Sequence, residues 1–254
     1  MKILVLNPNT SDSVTDKIAA VARAAAASGT ELAFMTAPYG VPYIATRAEA
    51  VIGGRVVLEV LAERQGEFDA LVIAAFGDPG LGAAREMAAI PVVGLAEASL
   101  LMACPLGRTF SIVSFSSRLE PWYRECVAWH GLSGRLASIR MLDARVADVG
   151  RVQAENEDLL VDLAGRAVRE DGAEVVILAG APLAGLASRV RDRLPVPVVE
   201  GVAASVKVAE GLVALGPRKA TEGSFRQPAP KPATGLPAAL TRLIETGGKP
   251  PSRA

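Results

Sequence analysis

The chain has 254 residues, half of them hydrophobic, which is enough for one large domain or two ordinary ones with substantial cores. Its 27 basic residues balance 27 acidic ones, which argues against a nucleic acid or an anionic membrane as partner. The apolar runs are too short for a signal peptide or a bilayer span, so we expect a cytoplasmic protein that acts on a small molecule.

The hydrophobic pattern predicts strands and helices that alternate along almost the whole chain. In the first half we expect strands at 2–7, 31–36, from residue 69 and at 91–94, with helices at 13–27, 47–65, 82–89 and 97–104. In the second half we expect strands at 109–114, 137–141, from residue 174 and at 197–201, with helices at 119–129, 152–169, 185–193 and 203–215. This alternation predicts parallel sheets with right-handed crossovers and helices on both faces.

The two halves repeat one pattern. Residues 68–81 (FDALVIAAFGDPGL) form a buried strand that opens into a Gly/Pro-rich loop, and AEVVILAGAPL at 173–183 repeats it when Asp69 is aligned with Glu174. The first strand of each half ends in small polar residues, although helix capping alone is the alternative explanation for these. We therefore predict an α/β fold with two pseudo-symmetric Rossmann-like lobes, each with a central parallel sheet. The active-site cleft is expected between them, at the carboxyl ends of the strands.

We expect the lobes to divide the chain unequally. The first lobe would take residues 1–96 plus 202–215, the second 97–201, and residues 216–254 would form a Pro/Gly-rich C-terminal arm. A short helix at 237–246 suggests packing across a lobe or a neighbouring subunit, and we expect a homo-oligomer. A docked tail without a functional role is the alternative.

The cysteines and the histidine are scarce. Cys104, Cys126 and His130 are the only residues of their types, which excludes a zinc cluster built from them and a disulfide framework, so we expect no metal. Both cysteines lie in helical patterns away from the strand-end loops, where we expect them to be small buried hydrophobes. The basic side chain of His130 is predicted to interact favourably with the last carbonyl groups of a helix. A Ser-His-Asp arrangement that includes His130 is the alternative.

Four motifs resemble the aspartate/glutamate racemase superfamily, most closely its hydantoin and allantoin racemase branch. They are NPNTS after the first strand, FGDPGL after the third, GAEVVIL in the second half and VVEGVAASVK near the end. The resemblance implies a two-lobed α/β fold and cofactor-independent chemistry at a carbon acidified by a neighbouring carbonyl or carboxylate. In the family, one cysteine from each half then works on each face of that carbon.

By the same resemblance, the two family cysteines fall on Ala75 and Gly180. Neither side chain carries a proton, so a two-thiol mechanism with an acid and a base on opposite faces cannot operate. The alignment retains an anion-holding site made of the backbone N–H groups of Phe76, Gly77 and Ala181.

Further polar side chains are placed to contact a substrate. They are Asn7, Ser114, Ser116, Ser117 and Arg118. The position of Asn7 can hold a catalytic Asp in related racemases, whereas an amide orients a substrate without acting as a base.

Three side chains are candidates for proton transfer. Asp78 and Glu200 would serve as bases if desolvation raised their pKa toward neutrality. The alternatives are a structural turn residue for Asp78 and a helix cap for Glu200. Tyr43 lies in a loop that covers the cleft in relatives, and its hydroxyl could donate to a substrate.

The sequence leaves three functions open. The first is an enzyme on a small carboxylate or cyclic amide, such as a hydantoin, with lyase, decarboxylase, isomerase or hydrolase chemistry. The second is a racemase or isomerase in which carboxylates or water replace the thiols, and the third is a non-catalytic binding protein.

Overall fold

The computed structural model describes residues 1–142 and 151–248. The last residues of the predicted arm, 249–254, lie outside these described ranges. Within them, no helix is both long and apolar enough to cross a bilayer.

Each predicted strand and helix is present, with ends shifted by a few residues. The first half contains β1 (Lys2–Asn7), α1 (Asp12–Ala25), β2 (Glu31–Thr36), α2 (Arg47–Arg64), β3 (Ala70–Ile73), α3 (Leu81–Met87), β4 (Val92–Gly94) and α4 (Leu95–Ala103). The second half contains β5 (Phe110–Ser114), α5 (Glu120–Trp129), β6 (Leu136–Met141), α6 (Val152–Asp171), β7 (Val175–Leu178), α7 (Leu186–Val190), β8 (Val198–Glu200), α8 (Gly201–Leu215) and α9 (Ala238–Glu245).

The strands form two four-stranded parallel sheets with the same internal order. The first sheet runs β2-β1-β3-β4 and the second β6-β5-β7-β8, so the first strand of each half lies between the second and the third. This confirms the predicted two-lobed α/β fold. Because all strands of a lobe are parallel, the loops after β1 and β3 open at one edge of the first sheet, as those after β5 and β7 do in the second.

The central strands are buried on both faces, as their uninterrupted apolar runs predict. In β1, Ile3 and Val5 pack into a core that continues to Ile112 of the second sheet, whereas Leu4 and Leu6 pack into a separate core with α2, α3 and α9. Side chains of a strand alternate between its two faces, so one strand contributes to both cores. The larger core joins the two lobes.

The C-terminal part of the chain returns to the first lobe. Helix α8 follows β8 but packs against α1, β3 and β4 as well as α4. Helix α9 packs on α2 and buries Leu240 and Leu243, and Gln65 Nε2 donates a hydrogen bond of 2.9 Å to the carbonyl oxygen of Gly248. The arm thus docks on its own chain; the exact lobe boundaries stay a prediction.

Candidate functional site

The loops that follow β3 and β7 meet at one side chain, Tyr123 of α5. Its ring centroid lies 4.7 Å from that of Phe76 in the β3 loop, and Tyr123 is only 2% exposed. A Cβ atom built on Gly180, in the β7 loop, would lie 3.7 Å from the Tyr123 hydroxyl oxygen. The two loops therefore face each other across Tyr123, and we take the space around this side chain as the candidate site. Sequence reasoning missed Tyr123, and its segment, EPWYRECVAW, carries no local pattern that singles it out.

The two positions aligned with the family cysteines differ in the room they leave. Ala75 is 7% exposed and already carries a Cβ atom. Gly180 has a φ of 109°, which L side chains rarely adopt, and a Cβ there would approach Phe115 Cε1 to 2.9 Å. Phe115 is fully buried, so it has little freedom to move aside. Position 180 is therefore closed to a side chain in this structure, and position 75 is not.

Backbone donors remain available in both loops. The Asp78 N–H bonds back to the Ala75 carbonyl oxygen at 3.1 Å, and the Leu183 N–H bonds to that of Gly180 at 2.9 Å. No acceptor in the described part of the chain takes the N–H of Phe76, Gly77 or Ala181. Each turn thus leaves its first amides unpaired, and their role in holding negative charge stays a prediction.

Tyr43 lies next to this space. Its ring centroid is 5.5 Å from that of Phe115, and its buried hydroxyl has no hydrogen-bond partner within residues 1–142 and 151–248. Burial raises the pKa of Tyr43, an effect that Ser116 partly offsets, and burial also raises the pKa of Tyr123. Both phenols are therefore neutral near pH 7, so they can donate a proton but not accept one.

The other predicted substrate contacts lie in or next to the strand-end loops. Ser114 is buried and its Oγ donates to the Ala179 carbonyl oxygen at 2.8 Å, immediately before Gly180. Ser116 is half-buried at the start of a 3₁₀ turn, in which Ser117 and Arg118 are exposed. Their contact with a substrate stays a prediction.

Asn7 supports the loop between β1 and α1. Its buried Nδ2 donates to Asn9 Oδ1 and Thr15 Oγ1, each at 3.0 Å, and lies 3.2 Å from the Ser11 carbonyl oxygen. Its Oδ1 accepts the N–H of Asn9 at 3.3 Å, so both ends of the amide are used within the loop, and the substrate contact predicted for Asn7 stays a prediction.

The two candidate carboxylates both cap helices. Asp78 accepts hydrogen bonds of 2.8 Å from the N–H groups of Ala96 and Glu97, at the start of α4. Glu200 accepts one of 2.6 Å from the N–H of Ala203, at the start of α8. Burial raises the pKa of both carboxyls, while their hydrogen bonds lower it in part. Their roles as bases stay predictions, and each has a structural role beside it.

His130 ends α5 and Cys126 is buried, as predicted, but both side chains lie closer to the β3 loop than the sequence pattern indicated. The prediction that Cys126 lies away from the strand-end loops is wrong, because its Sγ, the Asp78 carboxylate and the His130 imidazole lie within 4.8 Å of one another. His130 Nε2 lies 3.5 Å from Asp78 Oδ2. The physical reason is that Cys126 and His130 are one helical turn apart, so they share the face of α5 that packs on the β3 loop.

The expectation of no metal rests on the count of thiols and imidazoles, without the carboxylate that the β3 loop brings to Cys126 and His130. It stays a prediction. Cys104, by contrast, is half-buried on α4 and its Sγ contacts the Leu100 carbonyl oxygen at 3.3 Å.

Two identical sheet orders and facing strand-end loops define a pseudo-symmetric, two-lobed α/β protein. The chain belongs to the Asp/Glu/Hydantoin racemase family, whose profile matches residues 3–209. It is 39% identical over 233 residues to a hydantoin racemase of Paenarthrobacter aurescens, covering 91% of this chain and 99% of that protein.

Two further relatives agree with this assignment. A hydantoin racemase of Pseudomonas sp. (strain NS671) is 36% identical over 236 residues, covering 92% of this chain and 95% of the relative. The structure of an allantoin racemase from Klebsiella pneumoniae superposes with a TM-score of 0.88 at 36% identity, covering 96% of this chain and 98% of that one. The resemblance to the hydantoin and allantoin racemase branch is confirmed, and the family supports a small-molecule enzyme.

Proposed function

We propose that the protein is a cofactor-independent enzyme that acts on a small carboxylate or a cyclic amide such as a hydantoin, without a two-thiol mechanism. One observation carries the proposal. The loops after β3 and β7 keep unpaired amide donors at Phe76, Gly77 and Ala181, beside an alanine and a glycine where the resemblance places cysteines.

The retained amides suit the charged intermediate of such chemistry. When a bond to a carbon next to a carbonyl breaks, negative charge develops on the carbonyl oxygen. Fixed N–H donors in a dry site stabilise this charge, and each donor is typically worth about 10²–10³ in rate. Phe76 and Ala181 come from different lobes, so a small substrate between the lobes would contact both.

The candidate proton donor is Tyr43. Its hydroxyl is buried, unpaired in the described structure and neutral, since burial raises its pKa. A neutral phenol serves as an acid only, which favours chemistry in which protonation follows cleavage of a carbon–carbon bond. If a carboxylate leaves as CO₂, its bonding electron pair stays on the α-carbon as an enolate. Tyr43 then transfers its proton to that carbon, and water returns a proton to the phenolate.

A racemase that uses carboxylates is the second candidate. The observation that favours it is the raised pKa of Asp78 and Glu200, which burial causes in both. Against it, each carboxylate accepts hydrogen bonds from helix N–H groups, so removing these side chains would change stability as well as chemistry. A non-catalytic binding protein is the third candidate.

Turnover in heavy water distinguishes the three candidate functions. The purified protein would be incubated with 5-substituted hydantoins, allantoin and arylmalonates, and followed by proton NMR and polarimetry. The proposal predicts that a substrate with a carboxylate on its acidic carbon, such as an arylmalonate, is consumed, with one deuterium delivered to a single face of the product. Exchange with loss of optical activity would instead support the racemase, and saturable binding without conversion would support the binding protein.

A matched pair of variants tests the proton donor. Tyr43→Phe should lower kcat by about 10²-fold or more, as expected when a general acid is removed, while KM changes little. Tyr39→Phe is the control, because Tyr39 is 39% exposed and its hydroxyl bonds to Glu59. Equal activity of the two variants would remove Tyr43 from the mechanism.

A further inference from the structure

A second cluster of reactive side chains lies where α5 packs on the β3 loop. The Asp78 carboxylate, the Cys126 thiol and the His130 imidazole each offer a ligand atom, and these atoms lie within 4.8 Å of one another. They are the three side-chain types that bind zinc in proteins: carboxylate oxygen, thiolate sulfur and imidazole nitrogen. The function proposed above requires neither Cys126 nor His130.

His130 presents a buried nitrogen without a partner. Its side chain is 6% exposed, and its Nε2 has no hydrogen-bond partner in the described structure although it faces Asp78 Oδ2 at 3.5 Å. Buried polar atoms are almost always hydrogen-bonded, and the Asp78 carboxylate lies only at the outer limit of hydrogen bonding from Nε2, so a ligand between them would satisfy both groups.

The other nitrogen of His130 has the surroundings of a metal-bound imidazole. His130 Nδ1 lies 3.6 Å from Glu97 Oε1, and Glu97 is itself held by Arg85 Nη1 at 2.7 Å. A carboxylate at one ring nitrogen typically fixes the tautomer that leaves a lone pair on the other nitrogen. Here that lone pair would be on Nε2, which faces Asp78.

The charges of the cluster also favour a cation. The Asp78 carboxylate is buried, and the hydrogen bonds that it accepts come from neutral backbone N–H groups of α4. Arg85 is already paired with Glu97. A positive charge between Asp78 and His130 would therefore compensate a buried negative charge.

We propose that Asp78, Cys126 and His130 bind a divalent transition-metal ion of borderline softness, such as Zn²⁺. Tetrahedral zinc with bonds of about 2.0–2.3 Å sets its ligand atoms roughly 3.3–3.5 Å apart, so modest side-chain rotations would complete the site. On binding, the Cys126 thiol gives its proton to water and the sulfur coordinates as thiolate.

The site would keep an open coordination position. A pocket of about 340 Å³ is lined by all three proposed ligands together with Gly77, Trp122 and Trp129. Three protein ligands beside a pocket leave the fourth position to water or to a small anionic ligand, and the chemistry proposed above does not use this ion.

Cobalt substitution tests the proposal without relying on activity. The full-length protein, freed of metal with a chelator, would be titrated with Co²⁺ and followed by visible and near-ultraviolet absorption. We expect one equivalent to produce the intense visible bands of tetrahedral Co²⁺ together with a thiolate-to-cobalt charge-transfer band. X-ray absorption of the zinc-loaded protein should show one sulfur and at least two nitrogen or oxygen neighbours.

Two cysteine variants provide a matched comparison. Cys126→Ser should lose the charge-transfer band, whereas Cys104→Ser should keep it, because Cys104 lies outside the cluster. His130→Gln should weaken Co²⁺ binding by about tenfold or more. Asp78 is left unchanged because it caps α4, and circular dichroism checks that each variant is folded.

Several results would overturn the proposal. They are the absence of a charge-transfer band in the wild-type protein, its persistence in Cys126→Ser, or unchanged Co²⁺ affinity in a folded His130→Gln variant. In any of these cases the cluster is a buried His–Asp pair with a neighbouring thiol.

Discussion

Gly180 gives the sharpest test of how the interlobe site is built. Its φ of 109° lies in a region that alanine adopts only under strain, which costs about 1–3 kcal/mol. An added Cβ would also approach Phe115 Cε1 to 2.9 Å, and overpacking a buried site of this kind costs about 1–3 kcal/mol more. Gly180→Ala should therefore lower the free energy of unfolding by about 2–6 kcal/mol.

The assay is equilibrium unfolding in urea, with Gly211→Ala as the matched control. Gly211 lies inside α8 and no atom lies within 4 Å of its added Cβ, so alanine there should stabilise the protein by about 0.5–1 kcal/mol. Combining Gly180→Ala with Phe115→Leu separates the two costs. The smaller side chain relieves the contact but not the backbone strain, so the double variant should be more stable than the sum of the single effects.

The same reasoning predicts an asymmetry between the two positions aligned with cysteines. Ala75→Cys should be tolerated far better than Gly180→Cys, because position 75 already accommodates a Cβ atom. A loss below about 1 kcal/mol for Gly180→Ala would refute the reasoning, since neither the strain nor the contact would then be real.

Three further predictions follow from individual side chains. Tyr43→Phe should leave the free energy of unfolding unchanged or raise it by up to about 1 kcal/mol in urea unfolding, because it removes a buried hydroxyl without a partner. Burial raises the pKa of Glu200 in the folded state above its pKa in the unfolded state. The stability that Glu200 contributes is therefore complete at a pH below the unfolded-state pKa, and it is lost as the pH rises through the folded-state pKa. The stability of wild type minus that of Glu200→Gln, from urea unfolding at several pH values, should therefore fall as the pH rises above the ordinary titration range of Glu, and not rise. Leu243→Ala should lower the free energy of unfolding by about 2–4 kcal/mol and therefore lower the thermal midpoint, because Leu243 is buried. The control, Leu215→Ala, removes an exposed side chain and should leave the midpoint unchanged. Equal midpoints for the two variants would mean that α9 does not dock on α2.

The fold could be predicted from the sequence because local patterns determine it. Strand-length apolar runs such as 70–75, each followed by a Gly/Pro-rich loop, mark strands buried on both faces. Their recurrence in the second half was sufficient to predict two equal sheets, and the sheets indeed have the same order.

The candidate site could be predicted only in part. The loops after β3 and β7 follow from the strand ends, so Phe76, Gly77 and Ala181 could be selected from the sequence alone. Tyr123 could not, because it reaches the site from α5 through tertiary packing, and no local pattern encodes which face of a helix meets a distant loop. The same packing brings Cys126 and His130 to Asp78, far away along the chain.

The amide resonances of the two loops test the central claim most directly. The ¹⁵N-labelled protein would be titrated with a 5-substituted hydantoin, and the shifts of Phe76, Gly77 and Ala181 followed. The account predicts that all three amides shift with one dissociation constant, because one ligand contacts donors from both lobes. Saturable binding that leaves Ala181 unmoved, or that shifts only amides near Trp122 and Trp129, would contradict it.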